Sequence, residues 1–276
     1  MKNNAPIGIF DSGLGGLTVV SALREVLPDE NIIYLGDTAR VPYGDKSPAT
    51  IKRYGCENAF FLAKQNVKLI IAACNTVSSI AMNDIKRILR EKNFSIPVMG
   101  VVEAGVSAVM QDNYKDIAVI GTRATISGKA YEKALKRVIS DVCIRSIACP
   151  LFAPIIEEGL ADHKIAIQAM GLYLSSLIDS LPEVLLLGCT HYPLLIDSLT
   201  AFFDKKVKII DSAHSAAVFA ENFLTIHSIK NSSEFPGKDQ FFVTDSPEGF
   251  KRHADNFLGK KVNEIRQVTI DSNYSR

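Results

Sequence analysis

No run in this 276-residue chain approaches the ~20 consecutive apolar residues of a membrane-spanning helix. No block of like charge interrupts it either. Lysine plus arginine number 31 against 30 acidic residues, a net charge of +1. That balance leaves no electrostatic footprint for nucleic acid and no polybasic patch for a membrane surface. Cys-x-x-Cys spacing is missing, as are paired histidines at metal-binding spacing. The five cysteines (Cys56, Cys74, Cys143, Cys149 and Cys189) are odd in number and scattered, so a reducing compartment with free thiols is expected. Near the N-terminus only Ile7-Gly8-Ile9-Phe10 is apolar before Asp11, too short for the core of a secretory leader. The reading is a cytoplasmic protein with no membrane segment and no direct nucleic-acid binding. Low-complexity segments are absent.

What is present is apolar sequence in short runs. Hydrophobic residues make up 47% of the chain, enough for one large core or two modest ones. Ile7-Gly8-Ile9-Phe10 reads as a strand, 11–16 as a glycine-rich turn, and Leu17, Val20, Leu23 and Leu27 as a helix that Pro28 stops. A second strand over 31–35 opens into the loop 36–44. Ser47-Pro48 starts a helix to about residue 65, because serine caps and proline suits the first turn. Leu69-Ile70-Ile71-Ala72 then runs into Ala73-Cys74-Asn75-Thr76, followed by Val77, Ile80, Ala81, Ile85, Ile88 and Leu89 at helical spacing. The pattern restarts at Ile117-Ala118-Val119-Ile120-Gly121-Thr122 and again at Val184-Leu185-Leu186-Leu187-Gly188-Cys189. Further strands are expected over 208–211, 241–244 and 262–270.

Strands alternating with helices predict α/β architecture with parallel-type sheets, whose ligands sit at the carboxyl ends of strands. Both halves repeat the same order of events at nearly the same spacing. The expectation is two similar α/β domains related by a pseudo-twofold, with the active site in the cleft between them. Residues 1–98 plus 210–276 would form the first, carrying Cys74. Residues 99–209 would form the second, carrying Cys189.

Several motifs admit more than one use. Gly13-Leu14-Gly15-Gly16 after a strand invites a dinucleotide fingerprint with Asp37 on the ribose, but Thr18 stands where a glycine is needed, and Asp11 puts negative charge where pyrophosphate would lie. Close packing of the turn suits it better. Asp11-Ser12 either caps the following helix or faces a ligand; Asp211-Ser212 and Asp245-Ser246 pose the same question. Cys56, Cys143 and Cys149 read as small structural residues. Cys74 and Cys189 differ, since each ends a strand at a helix N-terminus, where the backbone favours a thiolate and so a usable base. His191, two residues beyond Cys189, suits a thiol–imidazole acid/base pair better than a metal site. Glu157, taken alone, reads as a solvated helix charge. Two acid/base groups on opposite walls of a cleft are what inversion at a carbon requires: one takes the α-proton, the other returns a proton to the opposite face.

The combination resembles the glutamate racemases of the aspartate/glutamate racemase superfamily. It is carried by Gly8-Ile9-Phe10-Asp11-Ser12-Gly13-Leu14-Gly15-Gly16-Leu17-Thr18-Val19, Tyr34-Leu35-Gly36-Asp37, Pro42-Tyr43-Gly44, Ala73-Cys74-Asn75-Thr76, Gly121-Thr122 with Thr125-Ile126, Ala148-Cys149-Pro150-Leu151-Phe152, Glu157-Glu158-Gly159, and Leu187-Gly188-Cys189-Thr190-His191-Tyr192-Pro193-Leu194-Leu195. The C-terminal part matches loosely. The resemblance implies a cofactor-independent enzyme, without pyridoxal phosphate, that interconverts L- and D-glutamate and supplies the D-isomer for peptidoglycan; the missing metal-ligand spacing adds that no metal is expected. It implies Cys74 as the base for the D-isomer and Cys189 for the L-isomer, assisted by Asp11 and His191 respectively, with Glu157 near the second base. It implies substrate contacts from Ser12, Tyr43, Gly44, Asn75, Thr76, Thr122 and Thr190, and a homodimer. Control by a cell-wall precursor nucleotide or by gyrase occurs in the family, but no residue here carries either. A racemase of another acidic amino acid such as aspartate, or a two-domain protein that binds an amino acid without chemistry, would share much of this pattern.

Overall fold

The computed structural model describes residues 3–233, 235–259, 261–262 and 264–270. Its strands are β1 (Ile7–Asp11), β2 (Ile32–Gly36), β3 (Leu69–Ala72), β4 (Val98–Gly100), β5 (Asp116–Gly121), β6 (Cys143–Ala148), β7 (Val184–Gly188), β8 (Lys208–Asp211), β9 (Asp239–Val243) and β10 (Ile265–Gln267). They form two sheets, one ordered β10-β9-β2-β1-β3-β4 and the other β6-β5-β7-β8. Every described pairing is parallel.

The two sheets repeat one plan. The central strand β1 lies between β2 and β3, with β4 beyond; β5 lies between β6 and β7, with β8 beyond. The fold is therefore two similar α/β units. β1, β2, β3 and β7 are buried at every position. A parallel strand covered by helices on both faces has no solvent side, so its sequence is a continuous apolar run. β9 and β10 extend the first sheet beyond β2. β8 belongs to the second. A boundary between 209 and 210 would pass through β8, and one between 98 and 99 through β4. Of the strand expected over 262–270, only Ile265–Gln267 forms, and residue 263 lies outside the described residues.

Two local expectations need correction. The single helix expected after Cys74 is two, Asn75–Ile80 and Met82–Glu91, divided at Ala81 with φ −112° and ψ −6°. Cys143 is not a core residue; it is exposed on β6, an edge strand whose positions are all half-buried or exposed. Cys56 and Cys149 are buried as expected. At Ser47 the hydroxyl accepts from the Thr50 N–H at 3.3 Å and caps helix Pro48–Ala63.

A buried ion pair ties the returning chain to the first sheet. Lys68 Nζ lies 2.6 Å from Glu30 Oε2 and donates to the carbonyls of Asn3 (2.6 Å) and Ile229 (2.8 Å). Glu30 Oε1 accepts from the Asn231 N–H at 2.7 Å. The ammonium uses all three donors, so removing it strands a buried carboxylate and two carbonyls. Lys68→Met is expected to cost about 3–5 kcal/mol of stability, read from the denaturant midpoint. A loss under about 1 kcal/mol, the range of exposed pairs, would mean the pair is solvated.

Candidate active site

The carboxyl ends of β1, β3, β5 and β7 converge on a cavity of about 220 Å³. That is below the ~300–1,000 Å³ of drug-sized sites and suits a small metabolite. Its lining includes Ser12 beyond β1, Cys74, Asn75 and Thr76 beyond β3, Thr122 beyond β5, and Cys189, Thr190 and His191 beyond β7. Tyr43, Gly44 and Glu157 complete the expected set. Asp11 does not reach the surface of the cavity. It lies fully buried.

Each wall has its own electrostatics. On the first, burial pushes the Cys74 thiol up to about 12, and the Asp11 charge adds to this; the Val77 N–H and the Ser12 hydroxyl oppose it without prevailing. The expected lowering by the helix N-terminus is thus reversed, because taking a thiolate out of water costs more than the few backbone donors return. Burial also raises Asp11, against the His191 charge and the Gly13 N–H. Asp11 Oδ2 accepts from Gly13 N at 3.0 Å and Oδ1 from the Thr190 hydroxyl at 3.4 Å. It makes no side-chain cap on helix Leu17–Val26. Asp211, by contrast, caps helix Ser212–Ile226 through Ala213 N (2.7 Å) and His214 N (3.3 Å).

On the second wall, His191 Nδ1 lies 3.7 Å from Cys189 Sγ, and its Nε2 lies 2.8 Å from Glu157 Oε1. Burial lowers the imidazole pKa, but its hydrogen bonds to Cys189 and Glu157 outweigh that and push it up to about 10. Burial raises the Glu157 carboxyl, and the histidine prevails to hold it below its usual range. Glu157, half-exposed, is therefore more than a solvated helix charge: it is the outer member of a sulfur–imidazole–carboxylate chain.

The glycine-rich turn packs against this chain. A Cβ on Gly15 would sit 2.3 Å from the Thr190 hydroxyl and 2.5 Å from His191 Nδ1. Asp37, the would-be ribose ligand, is instead engaged by Arg40, by the hydroxyl of Thr244 at 3.0 Å, and by the Tyr43 phenol. Asn58 donates to the same phenol at 3.2 Å, so the Tyr43 wall is held from behind. Thr76, Thr122 and Thr125 form a hydroxyl triangle across the cleft, with separations of 2.9, 3.0 and 3.3 Å. Gly44 O accepts from Ala124 N at 3.0 Å, a second bond between the two halves.

Sequence reasoning missed Arg40, Asn58 and Tyr131 among the residues that hold the walls, and it named Thr125 and Ser212 only within motifs, without that role. Arg40 and Asn58 carried no signal, since loop arginines and helix asparagines are common on surfaces. It also missed Arg123 at the rim, paired with Asp45 at 3.2 Å. Among the described residues no three His, Cys, Asp or Glu side chains converge as metal ligands.

Fold and site together define a class: paired parallel α/β units with a thiol on each side of the cleft between them. The chain belongs to the Asp/Glu/Hydantoin racemase family, whose model matches residues 17–220. A glutamate racemase of Geobacter metallireducens is 42% identical over 267 residues, 96% of this chain and 97% of that one. That of Aquifex aeolicus is 43% identical, over 93% and 95% of the two chains. The crystal structure of glutamate racemase from Francisella tularensis in complex with D-glutamate superposes with a TM-score of 0.90 at 40% identity, over 98% of this chain and 99% of that one.

Proposed function

We propose that this chain is a glutamate racemase that interconverts L- and D-glutamate by two-base proton transfer without a cofactor, supplying D-glutamate for peptidoglycan. The observation that carries the reading is a thiol on each wall of one small cavity, Cys74 and Cys189. Cys74 is held as a thiol, ready to give a proton. Cys189 stands 3.7 Å from the His191 imidazole, which Glu157 holds from behind at 2.8 Å. With L-glutamate in the cavity, Cys189 removes the α-proton and Cys74 delivers its own to the opposite face. In the reverse direction Cys74 takes the proton, the substrate ammonium easing its ionisation and Asp11 orienting the turn behind it.

The carbanionic intermediate needs fixed donors around the substrate carboxylates. The hydroxyls of Ser12, Thr76, Thr122 and Thr190, the Asn75 amide and the Gly44 backbone surround the cavity and supply them, with Tyr43 closing one side. We divide the chain into a first domain of residues 1–100 plus 212–276 and a second of 101–211, so that no strand is cut. The family resemblance supports a homodimer, and the scattered free thiols support a cytoplasmic location.

The test is the α-hydrogen of glutamate in deuterated water with no added cofactor. Deuterium enters Cα as optical rotation is lost. Binding of glutamate without exchange would leave an amino-acid-binding protein. Faster turnover of aspartate than of glutamate in parallel assays would move the substrate.

A further inference from the structure

The Cys74 wall carries one side chain whose orientation is set from the other domain. Asn75 opens helix Asn75–Ile80 and lines the cavity next to Cys74. A carboxamide has two faces: rotated one way it offers an acceptor, rotated the other way a donor. Here the Tyr131 phenol donates to Asn75 Oδ1 at 2.6 Å, and Asn75 Nδ2 donates to Ser212 Oγ at 3.3 Å. The two bonds run from the phenol through the amide to the Ser212 hydroxyl, so both ends of the Asn75 carboxamide are engaged. All three residues are buried, at 3% exposure or less. Tyr131 lies on helix Ala130–Val138, in the half that carries Cys189. A Cβ on Gly105 or Gly188 would come within 3.2 Å of its ring, so close packing fixes the phenol in place.

We propose that Tyr131 is a positioning residue for racemisation: its hydroxyl occupies the Asn75 carbonyl and thereby turns the Asn75 amide N–H toward the substrate carboxylate. One Nδ2 proton is taken by Ser212, and the other is left for the cavity. Without the phenol the amide is free to rotate and present an oxygen lone pair to an anion, which repels it. Because Tyr131 and Asn75 come from opposite halves of the fold, the donor is set by how the two halves meet at the cleft. Ser212 begins the helix that follows β8 and fixes the far side of the amide.

This inference rests on the racemase reading, and one experiment separates the two. The kcat and KM for both glutamate isomers are measured for the wild-type enzyme, Tyr131→Phe, Asn75→Ala and the double variant. Tyr131→Phe keeps the ring and is expected to lower kcat roughly tenfold or more in both directions, with a smaller change in KM. In the Asn75→Ala background the same substitution changes kcat less than about twofold, since the group it orients is gone. Ser212→Ala removes the acceptor of the Asn75 amide and is expected to show the same dependence on Asn75. Equal factors in both backgrounds, or an unchanged kcat in Tyr131→Phe beside an active wild type, overturn the positioning role alone. An inactive wild type overturns the racemase reading and this one with it.

Discussion

Cys74→Ser and Cys189→Ser are each expected to slow racemisation by at least about 10³-fold in both directions, because a positioned acid or base contributes roughly 10²–10⁴-fold and each cycle uses both thiols. A serine hydroxyl fits the space. Both residues are 5% exposed and the side chain shortens only slightly, so the fold is expected to be retained, with melting temperatures close to wild type. What distinguishes a two-thiol mechanism is the half-reaction each variant keeps. In Cys74→Ser the Cys189–His191–Glu157 chain is intact, so the α-proton of L-glutamate still leaves on that side. With no thiol opposite, the proton returns to the face it came from. Slow deuterium incorporation into L-glutamate without inversion is expected, and in Cys189→Ser the same for D-glutamate. Proton NMR of the α-position combined with chiral separation reads both. Racemisation within tenfold of wild type in either variant would remove that thiol from the mechanism.

How much of this was legible in sequence depends on where each residue gets its environment. Leu69-Ile70-Ile71-Ala72 and Val184-Leu185-Leu186-Leu187 announce buried parallel strands because both faces are covered. The end of such a strand is the edge of the cleft, so the placing of Cys74 and Cys189 follows from two local patterns. β6 left no such mark. At the edge of its sheet, Cys143-Ile144-Arg145-Ser146-Ile147-Ala148 needs no continuous apolar run, and Cys143 was misread as core. The sign of the Cys74 shift was also hidden. A helix N-terminus is visible in sequence, but the complete burial that overrides it comes from tertiary packing. Tyr131 and Ser212 lie 56 and 137 positions from Asn75, and only the assembled fold brings the three together. Motif reasoning found most of the groups that line the cavity, Asp11 being buried behind it. It missed the groups that aim them, because aiming is done across the cleft.

The second large effect concerns the His191–Glu157 pair and is expected as a displaced pH profile. His191 titrates at about 10 in the folded protein against 6.5 when unconstrained. Below about 10 the imidazole is charged beside Cys189; above it the ring turns neutral and the chain to Glu157 loses its ionic character. The kcat/KM for L-glutamate is therefore expected to hold through neutral pH and fall along an alkaline limb near 10, ahead of the Cys74 thiol at about 12. Glu157→Gln removes a carboxylate that raises the imidazole, while the burial that lowers it remains. The limb should then move down by about one pH unit or more, each unit being about 1.4 kcal/mol of lost preference for the imidazolium. His191→Gln should abolish the limb and lower the plateau by about 10²-fold. Stability follows with the same sign. A histidine raised on folding stabilises fully below its unfolded value of 6.5, and that contribution is lost as pH rises through about 10. Wild type should therefore lose melting temperature over that window faster than His191→Gln does. An alkaline limb at the same pH in wild type and Glu157→Gln would show that the carboxylate does not set the charge of the imidazole, and the Cys189 wall would then owe its chemistry to the sulfur and histidine alone.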